Sequence, residues 1–403
     1  MSDILFAFSA GLGPLSRCLP IANVLGNRKH RVHFCAIDKA RVYMESFGHA
    51  FVPVATTAVL EIATLPTRTT TYPNLSTYYG FLGYTDPVFV RRKLASWLQA
   101  LEPLRLQAIV SDCNLEAVLA AKVLGLPLVV ISQSAFHPQR SLRFWEDHHP
   151  ENEAVVGNLN ALLREHGVAS DVRRVEELFV GHSTIYTSIP ELDPAPDDAV
   201  VYTGPILWDG YGGNLEQGAT VVRRLRALEG KLVTVYTGRM ADLVSSDAGA
   251  LLVGLLSRLS DERDYSVVIA TGGLDDVPPE VRRRSSERVV FTSWVPGPEL
   301  YDSDLIIHHG GHGSCLASLV YGTRTLVLPT HSEREHNARQ LSALGIGGWL
   351  DPRAIDSQML HEEISRLVSN SVCQESATRW ATTLRARHYR GEQLGADVIE
   401  SHL

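Results

Sequence analysis

Hydrophobic residues in the first half of the chain fall into short continuous runs, and some of the stretches between them carry apolar residues at helical spacing. Helical spacing recurs at 19–25 and 116–124. The continuous runs are rich in valine, isoleucine and leucine and predict strands at 4–8, 31–36, 108–111, 128–132 and 183–187. Buried strands that alternate with helices are typical of a parallel sheet covered on both faces.

The pattern stops and then restarts in the second half. Residues 190–198 are rich in proline and acidic residues, and 210–214 are rich in glycine, so this part predicts a linker. An amphipathic helix is predicted at 248–258. Further strands are predicted at 232–236, 267–270, 289–292, 305–308 and 325–328. The sequence therefore predicts an α/β protein with two Rossmann-like, doubly wound domains.

The predicted organisation is an N-terminal domain at 1–205, a linker at 206–230, a second domain at 231–385 and a terminal helix at 386–403. In open parallel sheets, ligands bind beyond the carboxyl ends of the strands. Two such sheets predict a cleft between them as the binding site. The aromatic stretch 55–89 has little period, and it predicts either a ligand-contacting loop or a lid packed on its domain.

Charge and cysteine content exclude several classes of protein. The net charge is −8 and the tightest basic cluster, 282–284, is interpreted as a solvated surface, so nucleic acid is not an expected partner. The five cysteines form no CxxC pair, which argues against a zinc site or a disulfide framework and fits a reducing cytoplasm.

No run approaches the about 18 apolar residues of a membrane span, and the N-terminal run lacks the features of a signal peptide.

The stretch 305–319 carries the clearest chemical signal. A buried strand ends in histidines, three glycines make a tight turn, and a serine opens an apolar helix. Such a turn offers backbone N–H groups and a helix N-terminus to a phosphate. Gly311 and Gly313 would allow close approach, and His309 and Ser314 would add side-chain donors. The alternative interpretation is an ordinary strand-to-helix turn in which Ser314 is the N-cap.

Three segments together resemble the nucleotide-sugar motif of family 1 glycosyltransferases, which have the GT-B fold. They are Trp294-Val295-Pro296, the turn from His309 to Ser314, and Pro329 followed by Glu333-Arg334 and Asn337-Ala338. The pattern is most similar to bacterial natural-product members, such as antibiotic and macrolide glycosyltransferases. The resemblance extends over the whole chain. It implies two domains that face each other across a cleft, with the C-terminal helix returning to the N-terminal domain.

The resemblance also implies a donor site in the second domain. Trp294 would stack on the nucleobase, Val295 would offer its backbone to it, and Glu333 would accept hydrogen bonds from sugar hydroxyls. Arg239 would pair with the diphosphate or be an ordinary surface arginine. The remaining donor-binding residues are expected to be Gly11, Gly13, Thr237, His309, Gly311, Gly313, Ser314 and Arg334. No cofactor or metal is implied, since backbone dipoles and side chains hold the leaving diphosphate in this class.

Two departures from the family pattern bear on the donor. Arg334 stands where glutamine is usual. Ala317 stands where many members carry a glutamate that contacts the ribose hydroxyls. The missing ribose contact is compatible with a deoxyribose donor such as a dTDP-sugar, and a UDP-sugar is the alternative.

The loop after the first predicted strand also departs from known motifs. Position 16 is serine, so the loop lacks the third glycine of a dinucleotide fingerprint. In the family variant that the loop resembles, a histidine stands at the position of Pro14 and acts as the general base of an inverting transfer. Three explanations compete: Asp112 acts as base, His137 substitutes, or the acceptor needs little activation, as with a phenolate, an amine or a carbon nucleophile. Asp112 could equally be a helix N-cap, and His137 an ordinary loop histidine.

The sequence therefore predicts a cytoplasmic hexosyltransferase that moves a sugar from a nucleoside diphosphate to a small natural-product acceptor, with inversion and with an atypical or absent base. The competing hypothesis is a non-catalytic partner that binds and stabilises an active transferase. Pro14 motivates that hypothesis, and the intact donor motif argues against it. The sequence leaves open whether the protein forms a homodimer.

Overall fold

The computed structural model describes two compact units. One takes in the described residues up to Trp208 together with Tyr389–Leu403, and the other takes in those of Asp209–His388. Each unit contains one parallel β-sheet. The described residues are 1–8, 12–36, 38–54, 73–140, 150–208, 210, 215–237, 264–271, 283, 285–329, 331–352 and 354–403.

The first unit has a seven-stranded sheet in the order β3-β2-β1-β4-β5-β6-β7. Its strands are β1 (Asp3–Phe8), β2 (Arg31–Cys35), β3 (Ala50–Phe51), β4 (Leu106–Asp112), β5 (Leu128–Ser132), β6 (Ser183–Tyr186) and β7 (Val200–Tyr202). The interiors of β1, β4 and β5 are fully buried because neighbouring strands and helices cover them. Phe8 pairs with Asp112 in register, so β1 and β4 end side by side.

Helices follow most of these strands. They are α1 (Leu12–Asn27), α2 (Asp38–Ser46), α3 (Leu75–Tyr79), α4 (Pro87–Leu101), α5 (Leu115–Leu124) and α6 (Glu153–Glu165). Local chemistry sets their ends: the Asn114 side chain accepts the Ala117 N–H at 2.8 Å and caps α5. Gly125 ends that helix with a φ of +64°, a conformation that favours glycine.

The second unit has a six-stranded sheet in the order β10-β9-β8-β11-β12-β13. Its strands are β8 (Lys231–Tyr236), β9 (Tyr265–Ala270), β10 (Val289–Thr292), β11 (Leu305–His308), β12 (Thr325–Val327) and β13 (Gly347–Trp349). Its described helices are α7 (Leu215–Arg226), α8 (Gly297–Tyr301), α9 (His312–Tyr321), α10 (Ser332–Ala343), α11 (Ser357–Ser369) and α12 (Ser371–Ala386).

These two parallel sheets confirm the predicted fold class. The hydrophobic pattern missed β3, which is only two residues long, and β13, which begins with two glycines instead of an apolar run. β13 forms because Gly347 lies directly against the backbone of Thr325, where a Cβ would overlap the carbonyl oxygen. The helix predicted at 248–258 lies outside the described residues.

The last helix, α13 (Gly391–Glu400), packs against α1. At Gly395 a Cβ would lie 2.8 Å from Cδ1 of Ile21, so the absence of a side chain lets the two helices approach closely. Arg28 at the end of α1 pairs with Asp397 at 2.7 Å and with Glu400 at 2.6 Å. These pairs are partly exposed, so the apolar contact carries most of the stabilisation.

Gly204 lies where the chain leaves β7, beside the segment that leads into α13. Its φ is +85°, and a Cβ would overlap the ring of Tyr389. Gly125 has a φ of +64° but no neighbouring atom within 4 Å of its Cβ position. The two glycines therefore share a left-handed backbone and differ in their surroundings.

We expect Gly204→Ala to destabilise the protein more than Gly125→Ala, measured by urea unfolding followed by circular dichroism. Both variants lose about 1–2 kcal/mol of stability because alanine disfavours a left-handed backbone. Gly204→Ala loses about 1–3 kcal/mol more because its methyl group overlaps the ring of Tyr389. Adding Tyr389→Ala to Gly204→Ala should recover part of that second loss. Equal destabilisation by the two glycine variants would contradict the contact.

Candidate functional site

The strand order of the second sheet marks a place where a ligand can bind. β8 and β11 are neighbours at its centre, and the chain proceeds outward from this pair in both directions. The carboxyl ends of such a pair frame a crevice in open parallel sheets. β8 ends at Tyr236 and β11 at His308, so the histidine-rich turn starts at the edge of this crevice.

His308 is the buried anchor of the turn. Its Nδ1 accepts the Gly310 N–H at 3.0 Å, and its Nε2 lies 3.4 Å from Oγ of Ser318. The Ser318 hydroxyl donates to the Ser314 carbonyl at 3.0 Å, so Nε2 carries the proton and donates to that hydroxyl. Burial lowers the pKa of His308 to about 3. The neutral ring therefore ties the strand, the turn and α9 together.

Gly310 permits the sharp turn that follows β11. Its φ is +85°, and a Cβ would lie 2.8 Å from Cγ1 of Val327 and 2.9 Å from the carbonyl oxygen of Arg334. Any side chain would therefore be strained and would displace backbone. Because of this fit, the turn lies directly against the start of α10.

Helix α9 begins at the turn, with Gly311 as its N-cap. The first N–H groups of a helix have no partner within it and carry partial positive charge. Gly313 is exposed with no atom within 4 Å of its Cβ position, and Ser314 is half-buried. A Cβ on Gly311 would lie 2.7 Å from Nε2 of His309. The structure thus brings all four predicted phosphate-binding residues of this turn to one open helix N-terminus.

Asn337 joins the turn to α10. Its buried Nδ2 donates to the Gly310 carbonyl at 3.1 Å and lies 3.4 Å from Oε1 of Glu333. The half-buried Glu333 is thereby placed beside the glycine turn. Asn337 is part of the sequence motif, but the sequence analysis gave it no role; its spacing of four residues from Glu333 on a helix was the available signal.

The end of β8 forms a second wall. The rings of Tyr236 and His309 lie 5.9 Å apart. Burial raises the pKa of Tyr236, and the positive charge of the buried Arg334 opposes this rise. Thr237 is buried as well, and its N–H donates to the Ala270 carbonyl at 3.1 Å. Arg334 therefore supplies positive charge near the crevice, whereas Thr237 joins β8 to β9.

Trp294 and Val295 lie after β10. Trp294 is half-buried, and its carbonyl accepts a hydrogen bond from Oγ1 of Thr292 at 3.2 Å. Val295 is buried in an apolar cluster that includes Ala317. The departure at Ala317 is therefore accommodated by packing, in a position where a carboxylate would be buried.

Of the other predicted donor-site residues, one lies in the first unit and two are outside the described residues. Gly13 is exposed near the start of α1, in the first unit. Gly11 and Arg239 lie outside the described residues.

The first sheet has a central pair of its own, β1 and β4. Asp112 ends β4 and is fully buried. Arg17 of α1 donates to both of its oxygens, from Nε at 2.5 Å and from Nη2 at 2.7 Å. The thiol of Cys18 lies 3.6 Å from the same carboxylate. Asp112 is therefore held by a buried bidentate ion pair, and the cap of the following helix is Asn114 instead.

Pro14 occupies the first turn of α1, where the missing N–H costs no helical hydrogen bond. His137 lies beyond β5 and is buried. Its Nδ1 accepts the Gln139 N–H at 3.2 Å, so Nε2 carries the proton and faces Oδ1 of Asp197 at 3.5 Å. His137 therefore has one nitrogen bonded within its own loop and the other facing Asp197 in the segment before β7. Arg17, which lies one helical turn after Pro14, was not among the residues predicted from the sequence.

Comparison with known proteins places these observations in a family context. The family model of the C-terminal domain of erythromycin biosynthesis protein CIII-like proteins matches residues 262–392. An uncharacterized glycosyltransferase of Methanosarcina acetivorans is 25% identical over 362 residues, which cover 86% of this chain and 83% of that protein. The demethyllactenocin mycarosyltransferase of Streptomyces fradiae is 26% identical over 146 residues, 35% of this chain and 30% of that protein.

Solved structures share the fold over nearly the full length. CalG4, the calicheamicin glycosyltransferase, has a TM-score of 0.73 at 20% identity, covering 100% of this chain and 98% of its own. The spinosyn rhamnosyltransferase SpnG complexed with thymidine diphosphate has a TM-score of 0.67 at 18% identity, covering 95% and 96%. The predicted GT-B fold is confirmed by these similarities.

None of the described helices has the length and apolar character needed to cross a membrane. Likewise, the part of the chain that the structure describes holds no cluster of three or more side chains suited to a metal ion.

The buried His308 makes a pH-dependent contribution to stability that can be tested. Its pKa is about 3 when folded and about 6.5 when unfolded, so the unfolded state binds an extra proton between these values. Stability is therefore fully present above about pH 6.5 and falls by up to about 1.4 kcal/mol per pH unit below it.

We expect His308→Gln to reduce this acid sensitivity, because glutamine can still accept from Gly310 and donate to Ser318 but does not titrate. The measurement is the melting temperature between pH 7 and pH 4, with the exposed His166→Gln as the matched control. An unchanged pH dependence in His308→Gln would contradict a buried, neutral His308.

Proposed function

We propose that this chain, which has the GT-B fold, is a glycosyltransferase related to the antibiotic and natural-product glycosyltransferases. In this proposal it transfers a sugar from a nucleoside diphosphate to a small natural-product acceptor, with inversion at the anomeric carbon. The observation that carries the proposal is the open N-terminus of α9, built on the Gly310 turn. In this proposal, His309, Gly311, Gly313 and Ser314 bind the diphosphate. Arg334 adds a permanent positive charge nearby.

The donor nucleoside is proposed to be thymidine. Trp294 stacks on the base and Val295 offers its backbone to it. Ala317 is packed in the core and provides no carboxylate for a ribose 2′-hydroxyl, which supports a deoxyribose donor. Two related structures, those of SpnG and SsfS6, were solved in complex with thymidine diphosphate. A UDP-sugar is the alternative donor.

The sugar is proposed to contact Glu333, whose position depends on Asn337. A carboxylate held beside the glycine turn can accept hydrogen bonds from sugar hydroxyls. As the bond to the anomeric carbon breaks, the diphosphate gains negative charge. The helix N-terminus and the positive charge of Arg334, which lies near Tyr236 at the end of β8, would stabilise this charge.

Binding of thymidine diphosphate tests the donor site. We expect it to raise the melting temperature of the wild-type chain by roughly 5–10 °C at a hundredfold excess over its dissociation constant, since ligand binding stabilises the native state by about 2.7 kcal/mol at that ratio. The combined variant His309→Ala with Ser314→Ala should lose most of this shift. The panel includes UDP, GDP, ADP and NAD, each added separately.

The matched control combines His166→Ala with Ser46→Ala, which removes the same two chemical groups from exposed positions in the first unit. This control should keep the full shift. A larger response to UDP than to thymidine diphosphate would change the proposed donor. If no nucleotide stabilised the chain, the donor site would be refuted and the non-catalytic partner, which Pro14 motivates, would be the better hypothesis.

A further inference from the structure

The ion pair between Arg17 and Asp112 lies at the point of the first sheet where a ligand is expected. β1 and β4 form its central pair, Phe8 and Asp112 end side by side, and α1 follows β1. Asp112 accepts both hydrogen bonds from Arg17 and is fully buried. Taking up a proton on Asp112 would leave the buried guanidinium without its counter-charge, which is costly. Asp112 is therefore poorly suited to act as a base.

The neighbouring groups do not replace it. His137 uses both ring nitrogens in contacts with Gln139 and Asp197. The groups that face Arg17 besides Asp112 are the thiols of Cys18 and Cys113. Burial raises the pKa of Cys18 well above its ordinary value, and the charge of Asp112 adds to this rise, so that thiol stays neutral. Pro14 has no proton to exchange.

Arg17 instead offers a fixed positive charge. Burial alone would lower the pKa of Arg17, but Asp112 outweighs it and raises the pKa above its usual value. Nε and Nη2 are used by Asp112, whereas Nη1 has no hydrogen-bond partner among the described residues, and 15% of the side chain is exposed. Pro14 and Arg17 are three residues apart on α1 and so lie on the same helix face.

We propose that the acceptor is an acidic hydroxyl compound, a phenol or an enol, which binds as the oxygen anion and accepts a hydrogen bond from Nη1 of Arg17. The proposal rests on the proposed glycosyltransferase function. The acceptor loses its proton to water before transfer. Its oxygen lone pair then forms the bond to the anomeric carbon, and the bond from that carbon to the diphosphate oxygen breaks with its electron pair. The products are the glycoside and the nucleoside diphosphate, and the protein gains no proton.

This charge arrangement discriminates between acceptor classes. An amine acceptor is largely cationic at neutral pH, and an ammonium group has no lone pair to accept a hydrogen bond from Nη1 of Arg17. A simple alcohol stays protonated and would need a base that Asp112 and His137 are not free to provide. An oxygen anion needs no base, and a guanidinium binds it through a charge-assisted hydrogen bond.

Binding of 4-nitrophenol, observed through the absorbance of its phenolate, tests the proposal directly. At a pH near the ligand's own pKa, we expect the wild-type chain to increase the phenolate fraction as it binds. 4-Nitrobenzyl alcohol, which does not ionise, is expected to bind at least about tenfold more weakly, since hydrogen bonds to charged groups contribute that much or more. No binding, or binding of the neutral phenol only, would overturn the proposal.

Two variants separate charge from fold. The combined Arg17→Met with Asp112→Asn removes both buried charges, so that neither is left unpaired, and should weaken phenolate binding by about tenfold or more. Arg17→Lys keeps a cation and should retain part of the phenolate binding. Unchanged phenolate binding in the charge-free variant would refute the role of Arg17.

A transfer assay completes the test. With a dTDP-sugar donor, the rate with 4-nitrophenol should rise with pH in step with ionisation of the acceptor, and phenol, whose pKa is about 10 like that of tyrosine, should react more slowly at pH 8. In each variant we expect the thermal shift by thymidine diphosphate to persist, because it depends on the second unit. If thymidine diphosphate did not raise the melting temperature of the wild type, the proposed function itself would be refuted.

Discussion

The hydrogen bond from the Gly310 N–H to the buried ring of His308 is the constraint on which the candidate site of the second unit depends. It fixes a left-handed turn at the end of a central strand, and the turn in turn fixes where α9 begins. The same glycine presents its carbonyl to Asn337, which also holds Glu333. One residue without a side chain thus couples a strand end, a helix N-terminus and a carboxylate. A histidine kept neutral by burial suits this role, because a charged ring could not accept the Gly310 N–H.

The two sheets share one topological feature, a central strand pair, but the residues at its carboxyl end differ. At the centre of the second sheet, the residues that follow β11 start α9 with Gly311 as an N-cap that has no side chain to cap the helix. At the centre of the first sheet, the end of β4 is closed by a bidentate ion pair. Both arrangements place hydrogen-bond donors at the carboxyl ends of a central strand pair. Such donors can stabilise a negatively charged group at each place.

The sequence predicted the fold and the glycine turn between β11 and α9 because both depend on local pattern. Valine-rich strands alternating with helices determine parallel sheets, and glycines between a strand and a helix determine a phosphate-type turn. The pattern missed β13, since its glycines are defined by packing against Thr325. It also missed Arg17, whose importance depends on Asp112, 95 positions away in sequence. Contacts of this kind follow from the register of β1 and β4 and have no local signal. The roles of the predicted site residues stay predictions until nucleotide binding is measured.

The identity of the cation at position 17 also matters physically. A bidentate guanidinium holds both oxygens of Asp112 in one plane and leaves a third nitrogen on its far side. A lysine would provide a point charge that a buried aspartate could fully occupy. A buried ion pair contributes little net stability, because desolvation of both charges offsets their attraction. The Arg17–Asp112 pair therefore contributes little to the stability of the first unit, but it holds the guanidinium in a fixed orientation. Because stability alone does not explain the pair, we propose that it serves acceptor binding.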